Sequence, residues 1–212
     1  MTHALHRAGT RENLENDYTI VVRPERGYNK DGCKIKLQKA LRIMADNNAV
    51  NICGARGDKY QGTTLETSLE SIIEFISEGN SIYGAFNSKK DIIGFIRGMI
   101  EADLGLSVVI QGLYDNVVDC CHQVGLKPHT TNHSLGIWGK RELIPEKHIL
   151  EITTMCGHGV VASALVAEQI RLIKEGKVTL SEAALTVSKP CVCGIVNPKR
   201  AEQLLKVLVE SE

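Results

Sequence analysis

Residues 81–112 read SIYGAFNSKKDIIGFIRGMIEADLGLSVVIQG, and this stretch decides the fold. Ser81 to Phe86 has the length and the apolar, aromatic make-up of a strand. Ser88 is an N-cap type, and Ile92, Ile93, Ile96, Met99 and Ile100 then recur at helical spacing. Gly105 to Gly112 returns to a strand pattern between two glycines. Strand, helix, strand is the signature of a crossover unit.

Working outward, Val117, Val118, Cys121 and Val124 give a short helix that stops at Gly125, and Thr131 to Trp138 reads as a further strand. Upstream, Tyr18 to Val22 is a strand. Ile35 to Asn47 is a helix with Leu37, Ala40, Leu41 and Met44 on one face, and Ala49 to Cys53 is a short strand. Thr63 and Glu66 form a capping box for a helix bearing Leu65, Leu69, Ile72, Ile73 and Ile76, which ends at Gly79. Right-handed crossovers make successive strands parallel neighbours. The order therefore predicts an α/β fold: a mixed or parallel sheet with flanking helices.

Residues 1–17 show no period and read as an N-terminal arm, and residues 18–138 as the α/β domain. A charged linker with Pro145 follows over residues 139–146. Residues 147–212 read as a smaller helical C-terminal segment that carries the cysteines. It holds a short strand at Ile149 to Thr153, an apolar helix from Gly159 to Lys174, a capping box at Thr179 and Glu182, and a break at Pro190. Asn197-Pro198 starts a last helix with Leu204, Leu205 and Leu208.

The totals exclude several classes. Lysine plus arginine number 25 and so do aspartate plus glutamate, which leaves no net charge to draw in nucleic acid or a membrane surface. Aromatics are 4%, too few for base-stacking platforms. No apolar run reaches membrane-spanning length, and the start MTHALHR lacks the apolar core of a signal peptide, so a cytoplasmic location is expected. In a reducing compartment, seven cysteines are core filler, metal ligands or reactive thiols.

Thr153-Thr154-Met155-Cys156-Gly157-His158-Gly159 stands between a predicted strand and a predicted helix. Gly157 and Gly159 let the backbone turn and approach a ligand. Unpaired amides at the helix start suit an anion and lower the pKa of a nearby thiol. Pro190-Cys191-Val192-Cys193-Gly194 reads as an exposed loop in which period-two alternation points both sulfurs the same way. If the two stretches converge, Cys156, Cys191 and Cys193 make a three-thiolate metal site. On a [4Fe–4S] cluster, three thiolates leave one iron open to substrate. On zinc, His158 as fourth ligand would close a structural Cys₃His site.

Met155-Cys156-Gly157-His158-Gly159 resembles the M-C-G-H-G segment of the proline racemase and hydroxyproline epimerase family. The resemblance implies a proton-transferring thiol at Cys156 and a substrate carboxylate at the following helix start. It covers five residues. The family's second loop, P-C-G-T-G after an aspartate, has only Pro190-Cys191-Val192-Cys193-Gly194 as its nearest counterpart, without that aspartate.

Further candidates are weaker. Arg56, in Cys53-Gly54-Ala55-Arg56-Gly57-Asp58 after a strand, is a candidate carboxylate or phosphate partner. Asn132 and His133, with His129 nearby, form a polar cluster able to orient a substrate, and His3 and His6 could fold over a site. Cys121 reads as core, Cys120 as pointing elsewhere, and Cys33 as lacking a partner. The expected function is a metal-dependent non-redox enzyme, lyase- or hydratase-like. It would act on a small anionic substrate through a [4Fe–4S] cluster on Cys156, Cys191 and Cys193, with His158 as acid–base group, possible as a homo-oligomer. A metal-free racemase-like thiol enzyme and a zinc-stapled binding or regulatory protein are the alternatives.

Overall fold

The computed structural model describes residues 7–56 and 59–210, without the side chains of residues 55–61. A single helical turn, α1 (Arg11–Leu14), precedes β1 (Tyr18–Arg23), α2 (Cys33–Asp46), β2 (Asn51–Arg56) and β3 (Lys59–Thr63). Then come α3 (Leu69–Phe75), β4 (Ser81–Phe86), α4 (Lys89–Ala102), β5 (Ser107–Gln111) and α5 (Tyr114–His122). The C-terminal segment is α6 (Lys147–Thr153), α7 (Ser163–Lys174), α8 (Leu180–Ser188) and α9 (Pro198–Glu210).

The strands form one sheet in the order β3-β2-β4-β1-β5, and every neighbouring pair is antiparallel. This corrects the expected mixed or parallel sheet. The crossover β4-α4-β5 exists, but β1 lies between its two strands. The crossover β1-α2-β2 likewise has β4 between its strands. Two interleaved, split β-α-β units thus give only antiparallel hydrogen-bonded neighbours, the ferredoxin-like order with β3 added at one edge. Such a topology carries no function by itself.

Alternation along the strands separates two cores. Ile20, Val22, Ile52, Ile82 and Phe86 pack with Leu37, Leu41, Met44, Ile92 and Phe95, so α2 and α4 cover one sheet face. Asn51 and Cys53 point to the other face, where the turn between α8 and α9 lies against the sheet. A second core joins Ile152, Met155, Val166, Val187, Ala201 and Leu205, with Tyr83 of β4 packed against it.

Other readings change as well. Ile149 to Thr153 is helical, inside α6. A short apolar run cannot distinguish a strand from a buried helix by period. Thr131 to Trp138 forms no strand. It finds no ladder partner, Gly136 has φ +87°, and Leu135 and Trp138 are 83% and 76% exposed. Cys53 to Arg56 belongs to β2, the first arm of a hairpin, and not to a loop after a strand. The helix expected from Thr63 starts later, with Ser68 accepting the Ser71 amide as N-cap. The helix expected from Gly159 starts at Ser163. The Thr179–Glu182 capping box is present as read. Among the described residues no helix is long and apolar enough to cross a membrane.

Candidate functional site

Cys156 occupies the turn between α6 and α7, and Cys191 and Cys193 occupy the turn between α8 and α9. The second turn is tight and buried. The Cys191 amide donates to the Ser188 carbonyl, and the Gly194 amide to the Cys191 carbonyl. Cys191 and Cys193 are fully buried while Val192 between them is exposed, so the same-face reading holds and the exposed-loop reading does not.

The two turns meet. Cys156 and Cys191 lie in one buried cluster, where each thiol shifts the other's titration. Cys191 Sγ stands 3.7 Å from Cys193 Sγ, which stands 3.7 Å from His158 Nδ1. Among the described residues no group of three or more His, Cys, Asp or Glu side chains is placed so as to hold a metal ion.

A fourth thiol closes in from the sheet. Cys53 Sγ donates to the Val192 carbonyl at 3.0 Å, and the Asn51 side-chain amide donates to the Val196 carbonyl at 3.1 Å. Across the ladder from Cys53 is Tyr83, whose phenol pKa is raised chiefly by burial. Sequence reasoning missed both residues. The available signal was alternation: Ile52 belongs to the helix-covered face, so Cys53 must face the other way.

Cys156, Cys191 and Cys53 are held protonated. The interaction with Cys191 and then burial push the Cys156 pKa up. For Cys191, the interaction with Cys156 acts downward, but the contact with Cys193 and burial leave the net shift upward. Burial, reinforced by Cys191, raises Cys53 to about 12. The expected acid-shifted thiol at a helix start is therefore overturned for the free protein. Cys156 follows the end of α6, and burial beside another sulfur outweighs any dipole from α7.

Cys156, Gly157, Gly159, Thr154, Ala162 and Ser163 line a recess of about 400 Å³. Ala162 is the N-cap of α7 and brings no side-chain acceptor, so no side chain caps the first turn at the rim of this recess, and the Leu165 amide turns back to the Ala162 carbonyl. Gly157 and Gly159 therefore stand where the sequence placed them, beside Cys156 and near a helix start.

The remaining candidates are elsewhere. His133 packs its ring against Tyr114 of α5, 5.4 Å between centroids, beside the β5 edge and three strands from β2. Asn132 is exposed in the same segment. Arg56 closes β2, and its side chain lies outside the described part of the structure, as do His3 and His6 entirely. Cys120 is more deeply buried than Cys121, so both are core. Cys33 accepts the Gly79 amide at 3.2 Å, which gives it a partner.

No family model matches the chain, and no curated protein or solved structure is detectably similar to it.

Proposed function

We propose that the protein is a metal-dependent, non-redox enzyme, lyase- or hydratase-like. Cys156, Cys191 and Cys193 hold a metal centre at the floor of the recess, and a small anionic substrate enters beside the start of α7. The observation that carries this reading is the meeting of three buried, unbridged thiols from two separate turns, with an imidazole at the end of the row. A cation converts such thiols to thiolates and inverts the local pKa order.

The spacing bears on the kind of centre. Metal–sulfur bonds of about 2.3 Å at a tetrahedral angle put two sulfurs roughly 3.8 Å apart. The 3.7 Å between Cys191 and Cys193 fits that edge, so a single zinc-like ion suits the present spacing. A [4Fe–4S] cluster puts each thiolate on a different iron and requires the turns to part. His158, two residues after Cys156, serves as fourth ligand or as acid–base group at the centre.

A second reading needs no metal. Cys156 lines the recess beside a helix start that no side chain caps, and the thiol row links it to His158. A protonated Cys156 would then deliver its proton to the carbanionic carbon beside a bound carboxylate, as in a racemase-like reaction.

Purification without oxygen, followed by metal and acid-labile sulfide analysis, separates these readings. Iron with matching sulfide supports the cluster, and about one zinc per chain without sulfide supports the single ion. Replacing Cys191 and Cys193 by Ser is expected to abolish either. A chain that takes up neither metal on reconstitution overturns the metal reading, and loss of activity on alkylating Cys156 in that chain supports the second.

A further inference from the structure

We propose that β5 is a docking edge for a second copy of this chain, whose own β5 pairs with it antiparallel across a two-fold axis and joins the two sheets into one. β5 is an edge strand with β1 on one side only. Alternation across the sheet tells which of its main-chain groups face outward. The Thr64 amide donates to the Ile52 carbonyl, so Ile52 faces β3, and Asn51 and Cys53 face β4. In antiparallel pairs this directs Tyr83 and Ala85 to β2, Gly84 to β1, and Val21 to β5. Val21 stands opposite Val109, so those two exchange bonds, and the N–H and C=O groups of Val108 and Ile110 point away from the sheet. No backbone group among the described residues bonds to them.

Nothing blunts this edge. From Leu104 to Leu113 there is no charged residue and no proline, and β5 pairs with β1 without a register shift. Charges, prolines and bulges are the usual guards of a sheet edge. The opposite edge has two of them: β3 begins at Lys59, and its pairing with β2 shifts register. The uncharged run also identifies the occupant. About an axis through Val109, Val108 of each copy exchanges bonds with Ile110 of the other, and Ser107 stands opposite Gln111. Val109 meets its own counterpart, so self-pairing brings no like charges together. The two strands alone bury less than the roughly 1,200 Å² of a stable interface. Exposed apolar side chains extend the edge. Tyr114 opens α5 two residues after Gly112 with its ring against His133, and the Trp138 indole donates to the Leu135 carbonyl. Tyr114, Leu135 and Trp138 are all exposed in the single chain.

The test is sedimentation equilibrium of the full chain under reducing conditions from about 1 to 100 µM, where micromolar pairing registers. Emission of Trp138, the one tryptophan, is followed in parallel. The wild type is expected to approach the mass of two chains, with a blue shift as the pair forms. Val109→Lys sets two ammonium groups face to face at the axis. It is expected to weaken pairing at least about tenfold, with urea unfolding at low concentration showing a folded chain. Val109→Cys brings two new thiols together at the axis, whereas all seven native cysteines are buried. With glutathione disulfide as oxidant, taking up two electrons and two protons, it is expected to give a covalent dimer that the wild type does not give. If Val109→Lys fails to fold, Val109→Cys decides. A wild type of single-chain mass at the highest concentration overturns the pairing. So does a folded Val109→Lys that associates like the wild type, or a Val109→Cys chain that forms no covalent dimer. None of these readouts involves a metal or the cysteine turns, so such a failure leaves the proposed function as it stands.

Discussion

Cys53 illustrates what one buried group does. Its thiol is fully buried, donates to the Val192 carbonyl, and titrates near 12 where an ordinary thiol has about 9. A thiol raised in the folded state binds its proton longer than it does in the unfolded chain. Its contribution is therefore complete below about pH 9 and is lost as pH rises toward 12. Metal-free protein unfolded in urea at pH 8, 9 and 10 is expected to lose stability over the last unit. Cys53→Ser keeps a donor for Val192 without a group that titrates there, and should flatten that slope by up to about 1.4 kcal/mol per pH unit. An unchanged slope would assign the loss to other groups. That Cys53 belongs to the site followed from strand alternation only once the opposite sheet face was known to carry the C-terminal segment.

Among the elements, the turn between α8 and α9 is closely held. Gly194 has φ +69°, and a Cβ there would come within 2.9 Å of Cys53 Cβ and 3.2 Å of the Ile52 carbonyl carbon. Both the left-handed backbone and the close approach to β2 exclude a side chain. Gly159 has a similar φ of +67° but open space around it. Gly159→Ala is expected to cost only the backbone strain, about 1 kcal/mol. Gly194→Ala should cost clearly more, because it lifts the cysteine turn off the sheet. Thermal unfolding of the two variants side by side checks this, and equal losses would show that the turn is not pressed against β2. The glycines were legible in the sequence as turn residues. Their different surroundings were not, since Ile52 and Cys53 lie about 140 positions away along the chain.

Across the whole molecule, two cores meet through the packing of Tyr83 and a set of polar contacts. Asn51 reaches Val196, Asn197 reaches Asp17 and Asn87, and Arg200 reaches Asp17, Ala8 and Asn13. The segment joining the cores, residues 125–143, is exposed and carries Lys140 and Arg141, while Lys127 precedes Pro128 and resists trypsin. Limited trypsin treatment is expected to cut there first, and the two fragments should still elute together at the intact size. Separation of the fragments without denaturant would mean that the cross-contacts do not hold the halves.

Helix periods, the Thr179–Glu182 box, the Asn197-Pro198 start and the presence of a turn at both cysteine stretches were legible in the sequence alone. They depend on residues within one or two turns of each other. Only the tertiary structure decided that the sheet is antiparallel, that Cys53 joins the thiols from β2, and that β5 stands at a sheet edge. Each of those rests on contacts between distant parts of the chain, and local spacing carries no information about which distant partner a strand edge or a thiol will meet.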